Sequence, residues 1–133
     1  MHTKQEVLSA YRATVLEIGE LESQLQLVTP SGRPAGCKAV QPGSSMPGTN
    51  DPVAAAMQLA DGIEMMIRRK RDELAALNPH VYQIVSSITD GRIYQIIHSY
   101  YLCAHTEEIT GRIMGLSTSR VNQLRHQYLN NAS

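Results

Sequence analysis

Apolar residues recur at steps of three and four in two long stretches of the chain. In the first, from Thr3 to about Val28, they are Leu8, Tyr11, Val15, Ile18, Leu21 and Leu25. In the second, which begins near Pro52, they are Val53, Met57, Ala60, Ile63, Ile67, Leu74 and Leu77. This spacing places the apolar side chains on one face of a helix. Since both stripes must be buried, we expect an antiparallel hairpin of two long helices with a coiled-coil seam, each helix roughly 38 Å long.

The stretch between the two helices has a different composition. Residues 29–52 read TPSGRPAGCKAVQPGSSMPGTNDP and contain five of the six prolines and four of the nine glycines. Such a segment does not keep helical hydrogen bonds, which predicts a flexible linker. Within it, GRPAGCK is similar to a phosphate-binding loop. The spacing is wrong, however, and no Ser or Thr follows the lysine, so we interpret it as linker.

Shorter helices are predicted in the C-terminal half. We expect Pro79 to start the first and Asp90 with Gly91 to end it. The next helix carries Ile93, Ile96, Ile97, Tyr100 and Tyr101 and ends near Ala104. Thr106 caps a further helix, Gly115 ends it, and Ser117 opens the last. Because no segment alternates as a strand does, the fold class is all-α. Residues 1–78 form the helical hairpin, a dimerisation arm that includes the linker, and residues 79–133 form a compact helical bundle.

The last predicted helix lies in the stretch GLSTSRVNQLRHQYL, Gly115 to Leu129. Val121, Leu124 and Tyr128 fall on an inward face. The opposite face and its flanks carry Thr118, Ser119, Arg120, Asn122, Gln123, Arg125 and His126. Short amides and hydroxyls suit base edges in a major groove, and the two arginines on the flanks suit phosphates. The pattern is typical of the second helix of a DNA-binding helix-turn-helix, whose base-reading residues we expect to be Ser119 and Gln123. The alternative is the solvated face of a small bundle.

Charge bears on this choice in two ways. Lys plus Arg number 12 and Asp plus Glu number 12, so the formal net charge is zero, which does not favour a nucleic-acid-binding protein. From Arg92 onward, however, four basic residues face two acidic ones. The end that carries the predicted recognition helix is therefore mildly positive. The run Arg68 to Arg71 is interpreted as a solvated helix face, with a second phosphate-binding patch as the alternative.

Other kinds of chemistry find little support. His98, Cys103, His105 and His126 match no recurring zinc spacing, so we expect no metal. No serine elbow or phosphate loop is present, and we expect neither a cofactor nor an enzyme. No apolar run is long enough for a membrane span, and the N-terminus is too polar for a signal peptide. With only two cysteines and no ligand-like spacing, a cytoplasmic protein is predicted.

The C-terminal residues resemble the helix-turn-helix of sigma-factor region 4. Its pattern is Gly, apolar, Ser or Thr, two variable residues, Arg, Val or Ile, one variable residue, Gln, apolar. The residues that fill it are Gly115, Leu116, Ser117, Arg120, Val121, Gln123 and Leu124. Two features depart from the pattern. Thr118 and Ser119 stand where sigma factors have an Arg-Glu pair, and Ile109 and Thr110 stand where the family has Glu and an apolar residue. The second departure predicts a rotated or looser first helix.

More widely, the chain is similar to small phage and prophage proteins related to the ArpU and RinA type of late transcription regulators. The likeness includes TPSGRPAG, GTNDPVAAAM and the Asp90-Gly91-Arg92 triplet, together with Tyr101, Thr106 and Glu108. It covers most of the chain, but only the C-terminal part is specific. The resemblance implies binding of double-stranded DNA, with Arg120 and Gln123 as contacts, and by fold analogy a contact with host RNA polymerase.

Two functions are therefore expected from the sequence. One is a phage-type transcriptional regulator that binds DNA as a homodimer held by the long helices. The other is a phage-encoded interaction protein on the same scaffold, which binds host RNA polymerase or a host defence complex and needs no specific DNA site.

Overall fold

The computed structural model describes residues 3–28 and 52–131, and every described regular element is helical. α1 spans Lys4–Val28, α2 spans Pro52–Ser86 and α3 spans Gly91–Ile97. A π-helical segment, His98–Leu102, continues α3. α4 spans Glu107–Met114 and α5 spans Thr118–Asn130. The all-α prediction is confirmed. Most of the predicted linker lies outside the described residues.

The predicted break at Pro79 is wrong, because α2 runs through this proline without interruption. A proline inside a helix costs about 3 kcal/mol. Continuing the helix lets Val81 and its neighbours pack with Val7 and Leu8 of α1 in one apolar cluster. Since each buried aliphatic side chain contributes about 1.5–3 kcal/mol, burying several offsets the proline. At 35 residues and ~1.5 Å per residue, α2 is therefore about 52 Å long, well beyond the predicted length.

Two compact units divide the described residues, and their limits differ from the predicted boundary at residue 78. Residues 3–16 and 72–131 form one unit, and residues 17–28 and 52–71 form the other. The start of α1 and the end of α2 therefore pack with the C-terminal helices. Val7 and Leu8 cluster with Val81, whereas Leu21 clusters with residues 63 and 67.

The unit formed by residues 17–28 and 52–71 has a small apolar core. Leu21, Ile63 and Ile67 are buried, and Ile18, Leu25 and Val28 pack against them. Two members of the basic run in α2 form ion pairs with α1: Lys70 with Glu17 at 3.1 Å and Arg71 with Glu22 at 2.6 Å. The run is thus partly neutralised from the neighbouring helix, in addition to the acidic residues beside it on α2.

The larger unit has two adjoining cores. One contains Val7, Leu8, Val81, Ile97 and Tyr101, and the other contains Ile96, Val121 and Leu124. Three helix starts are capped by side chains: Thr106 and Ser117 as predicted, and Asp90, which was predicted only to end the helix before it. Asp90 Oδ1 accepts from the Arg92 N–H at 2.8 Å, Thr106 Oγ1 from the Ile109 N–H at 3.1 Å, and Ser117 Oγ from the Arg120 N–H at 3.1 Å.

The predicted helix that carries Ile93 and Tyr101 ends in the π-helical segment, which the sequence did not predict. The Cys103 N–H donates to the His98 carbonyl at 3.0 Å, five residues earlier, and Ala104 adopts a positive φ of 59°. From α1, Arg12 donates to the Tyr100 carbonyl at 3.0 Å and to the His105 carbonyl at 3.1 Å. This arginine supplies donors to carbonyls that an ending helix leaves without partners.

Among the helices of residues 3–28 and 52–131, none combines the length and the apolar character that a membrane crossing requires.

Candidate nucleic-acid interface

α4 and α5 are joined by a tight turn at Gly115. This glycine has φ 72°, in the left-handed region, where a side chain would be strained. The N–H groups of Gly115 and Leu116 both point to the Gly111 carbonyl, the latter at 2.8 Å. Ser117 then starts α5 as its N-cap. The predicted helix–turn–helix geometry is therefore present.

Gly111 is a residue of this turn that the sequence reading missed. It is buried in α4, and a Cβ placed on it would lie only 2.5 Å from the Leu116 carbonyl oxygen. The chain leaving the turn thus packs directly on the α4 backbone, and only glycine fits there. The sequence feature that could have identified it is a glycine in the middle of a short helix, between the N-cap Thr106 and the C-cap Gly115.

The back of α5 is buried as predicted. Val121 is fully buried and Leu124 nearly so, in a cluster with Ile96 and the partly buried Met114. Tyr128 is half-buried against the other core, and the Lys4 Nζ lies 4.0 Å from its ring centroid. These contacts fix which face of α5 is turned outward.

The outward face carries most of the predicted DNA-binding side chains. Thr118, Ser119, Arg120, Gln123 and His126 are all exposed. Arg120 Nη1 donates a hydrogen bond of 2.8 Å to Gln123 Oε1. The structure thus brings together a cation, two hydroxyls, an amide and an imidazole on one open surface.

The prediction that Arg125 lies on an open flank of α5 is wrong. Only 9 % of this residue is exposed, because it points into the bundle. Its Nη2 pairs with Glu107 Oε2 at 2.7 Å, and its Nη1 donates to Tyr101 Oη at 2.9 Å. The guanidinium carbon also lies 4.3 Å from the Tyr100 ring centroid. A buried guanidinium with these partners holds α5 to α4 and is not available to phosphates.

Asn122 is also turned away from the outward face. It is half-buried, and its Nδ2 donates to the same Glu107 Oε2 at 2.9 Å. Glu107, the first residue of α4, is therefore the acceptor that binds two α5 side chains. The exposed polar face of α5 is therefore narrower than predicted.

These contacts shift the pKa values of the groups involved. Burial alone would raise the pKa of Glu107, but hydrogen bonds from Arg125 and Asn122 outweigh it and leave the pKa below its ordinary 4.5. Burial raises the pKa of Tyr101 above 10.0, although the hydrogen bond from Arg125 acts in the opposite direction. At neutral pH the cluster therefore contains a carboxylate, a guanidinium and a neutral phenol.

Thr110, which departs from the sigma-factor pattern, is packed without a gap. It is fully buried, and its Oγ1 lies 2.9 Å from Ser99 Oγ, which lies 3.1 Å from His105 Nδ1. The expected looser packing of the first helix is therefore not found at this position. Its neighbour Ile109 is turned outward, as is Ile113 one turn later.

The four residues considered for zinc do not converge. His105 is turned to Ser99, whereas His98 lies 3.7 Å from Cys103 Sγ. Over the part of the chain that the structure describes, no group of three or more His, Cys, Asp or Glu side chains is placed to hold a metal ion.

Comparison with known proteins gives no relative against which this arrangement can be set: no family model, no curated protein and no solved structure matches the chain.

Proposed function

We propose that this protein is a sequence-specific regulator of transcription, of the phage type, that places α5 in the major groove of double-stranded DNA. The observation that carries the proposal is the division of α5 into two faces. Val121 and Leu124 fix one face in the core, while Ser119, Gln123 and His126 stand exposed on the other. A helix held rigidly at its back, with short polar side chains at its front, is what major-groove reading requires.

The charges on α5 favour DNA binding that depends on contacts to bases more than on contacts to phosphates. Arg125 is neutralised by Glu107, so the positive charge nearest the reading face comes from Arg120. Non-specific affinity for phosphates should be weak as a result. Sequence preference then has to come from base contacts and from binding two half-sites.

A second copy of the chain is the proposed way to bind two half-sites. In the unit of residues 17–28 and 52–71, α2 carries a second stripe beside the buried one, at Ala55, Leu59, Gly62 and Met66. The spacing of four, three and four residues is that of a coiled-coil seam. Leu59 is 55 % exposed and Met66 48 %, and a Cβ on Gly62 would meet open space. The same stripe on a second chain is a suitable partner, since the small residues allow close approach.

DNA binding is tested by selection from random duplexes, followed by fluorescence anisotropy with the selected site. The wild-type chain is expected to select a site and to lose affinity only moderately with salt, because few cations are available to phosphates. Arg120→Ala and Gln123→Ala should abolish the preference while the helical circular dichroism stays unchanged. Gln24→Ala, an exposed glutamine of α1, is the matched control and should bind as the wild type does. Equal retention of the site by both α5 variants would contradict the proposal.

Light scattering tests the second copy. The expected mass is twice the 14.7 kDa of one chain, falling to one chain in Leu59→Glu. A wild-type mass of 14.7 kDa would contradict dimerisation. DNA binding by a monomer would then be tested by the anisotropy measurement alone.

A second candidate function is a phage-encoded factor that binds host RNA polymerase or a host defence complex. The observation that favours it is an apolar pair on α4, Ile109 at 39 % exposed and Ile113 at 63 %. Pull-down from nuclease-treated host lysate, repeated with purified polymerase, tests it. A partner that binds the wild type but not Ile113→Glu, without any selected DNA site, would favour this function over the first.

A further inference from the structure

The hydrogen bond between Arg120 and Gln123 fixes which atoms of the glutamine amide face outward. A guanidinium only donates hydrogen bonds, so the atom that Arg120 Nη1 meets at 2.8 Å has to be the amide oxygen of Gln123. The amide NH₂ group then points away from the arginine. Gln123 thus turns its two N–H donors away from the arginine, and its oxygen keeps one lone pair after accepting from Arg120.

The Asn122 amide and the two carboxylates in the first turn of α4 are held by other partners. Asn122 is drawn back to Glu107, and the Glu107 carboxylate is occupied by Asn122 and Arg125. The neighbouring carboxylate of Glu108 pairs with Arg112 on α4 at 3.3 Å. The Arg120–Gln123 pair therefore presents mainly hydrogen-bond donors, with one lone pair left on the Gln123 oxygen.

The four bases differ in what they present to such a pair in the major groove. Guanine presents two acceptors, N7 and O6. Adenine presents an acceptor and a donor, thymine presents one acceptor beside a methyl group, and cytosine presents a donor. An unpaired glutamine suits adenine, because its oxygen accepts from N6 while its nitrogen donates to N7. Because Arg120 holds the oxygen, that match is weakened, whereas the match to guanine needs only donors and is kept.

We propose that Arg120 and Gln123 act together as a guanine-reading element, donating to N7 and O6 of one guanine in the major groove. The inference rests on the proposed DNA-binding function and adds to it the identity of the base. In this arrangement Arg120 both contacts the base and sets the orientation of the Gln123 amide. Gln123 is then a specificity-determining residue whose preference depends on its neighbour.

Modified bases provide the test. In the duplex selected by the full-length protein, each guanine is replaced in turn by 7-deazaguanine, which lacks N7, and separately by inosine, which keeps N7 and O6. At one position, 7-deazaguanine should weaken binding by about 5- to 10-fold, which is within the range of a good side-chain contact to a base edge. Inosine at the same position should leave binding unchanged. Gln123→Glu, at an exposed position, should reverse the preference of the pair towards a base with an exocyclic amine, because a carboxylate accepts.

The outcomes separate this inference from the function on which it rests. If no duplex is selected, the proposed function fails and the inference fails with it. If a site is selected but 7-deazaguanine has no effect at any position, or adenine occupies the position that Gln123 controls, the inference is overturned and DNA binding stands. The inference is supported if 7-deazaguanine at one position weakens binding by the wild type and has no such effect on Gln123→Ala.

Discussion

Arg125 and Glu107 form a 2.7 Å ion pair that joins α5 to the first residue of α4. The side chains are only 10 % and 20 % exposed, so water screens their attraction weakly. The same carboxylate oxygen accepts from Asn122, and the same guanidinium donates to Tyr101. One pair of residues therefore sets the angle between the two helices of the motif and ties both to the π-helical segment.

Breaking this pair from one side should destabilise the protein strongly. Arg125→Met leaves a buried carboxylate without its cation and should lower the free energy of unfolding by about 3 kcal/mol. Glu107→Gln should lower it by a similar amount, and the double variant by less than the sum of the two. Urea unfolding followed by circular dichroism measures all four proteins.

The exposed pair Arg112–Glu108 on α4 provides the control for this cycle. Its side chains are 74 % and 69 % exposed and lie four residues apart on one helix. Arg112→Met and Glu108→Gln should each change the unfolding free energy by only about 0.3 kcal/mol. Equal effects of the two cycles would show that the buried position of Arg125 has no energetic importance.

The same carboxylate predicts how stability depends on acid. The pKa of Glu107 is below 4.5 in the folded protein, so the folded state holds this proton less tightly than the unfolded chain does. Its contribution is therefore fully present above the unfolded pKa and is lost as the pH falls from about 4.5 through the folded value. Urea unfolding between pH 7 and pH 3 should show a shallower acid decline in Glu107→Gln than in the wild type. An unchanged slope in Glu107→Gln, matching that of Glu108→Gln, would contradict this.

Local signals explain why much of the fold could be predicted from the sequence. The caps Thr106 and Ser117 could be predicted because a cap depends on residues two or three positions away. The two long helices could be predicted from their apolar stripes, one containing Leu25 and the other Ile63, because helical periodicity is also local. The outward side chains of α5 followed from its buried back.

Most of the features that the sequence did not predict depend on distant contacts. Pro79 lies within a helix because the residues beyond it pack against α1. Arg125 was expected on a flank, since a helical wheel does not show that Glu107 and Tyr101 lie within its reach. The hydrogen bond from Arg120 to Gln123 was likewise not anticipated, because i, i+3 spacing permits such a bond without requiring it.

The close approach at Gly111 gives a prediction about the turn. Gly111→Ala would place a Cβ 2.5 Å from the Leu116 carbonyl oxygen, and neither backbone has room to move. We expect a loss of at least about 2 kcal/mol in unfolding free energy, in the range of overpacked cores. Gly19→Ala on α1 is the matched control: its Cβ meets open space, and stability should rise by about 0.5–1 kcal/mol. A gain in both variants would place the α4–α5 turn further from α4 than described.

Arg12 gives a final prediction, about the end of the π-helical segment. It donates to the carbonyls of Tyr100 and His105, and its guanidinium carbon lies 4.2 Å from the Tyr100 ring centroid. Arg12→Met keeps an apolar stem but removes both donors, which should lower the unfolding free energy by about 2 kcal/mol, given two charged hydrogen bonds that are only partly buried. Arg12→Lys, which has a point charge in place of the planar guanidinium, should lower the unfolding free energy by less than Arg12→Met does.

Amide hydrogen exchange locates this effect. The N–H groups of Cys103 and His105, which donate to the carbonyls of residues 98 and 99, should exchange faster in Arg12→Met than in the wild type. In the same variant the amide of Val121, in the other core of this unit, should change only as much as global stability does. Arg92→Met, an exposed arginine of α3, should leave all three amides unchanged. Uniform acceleration across these amides in Arg12→Met would mean that Arg12 stabilises the bundle as a whole and has no local role at the π-helical segment.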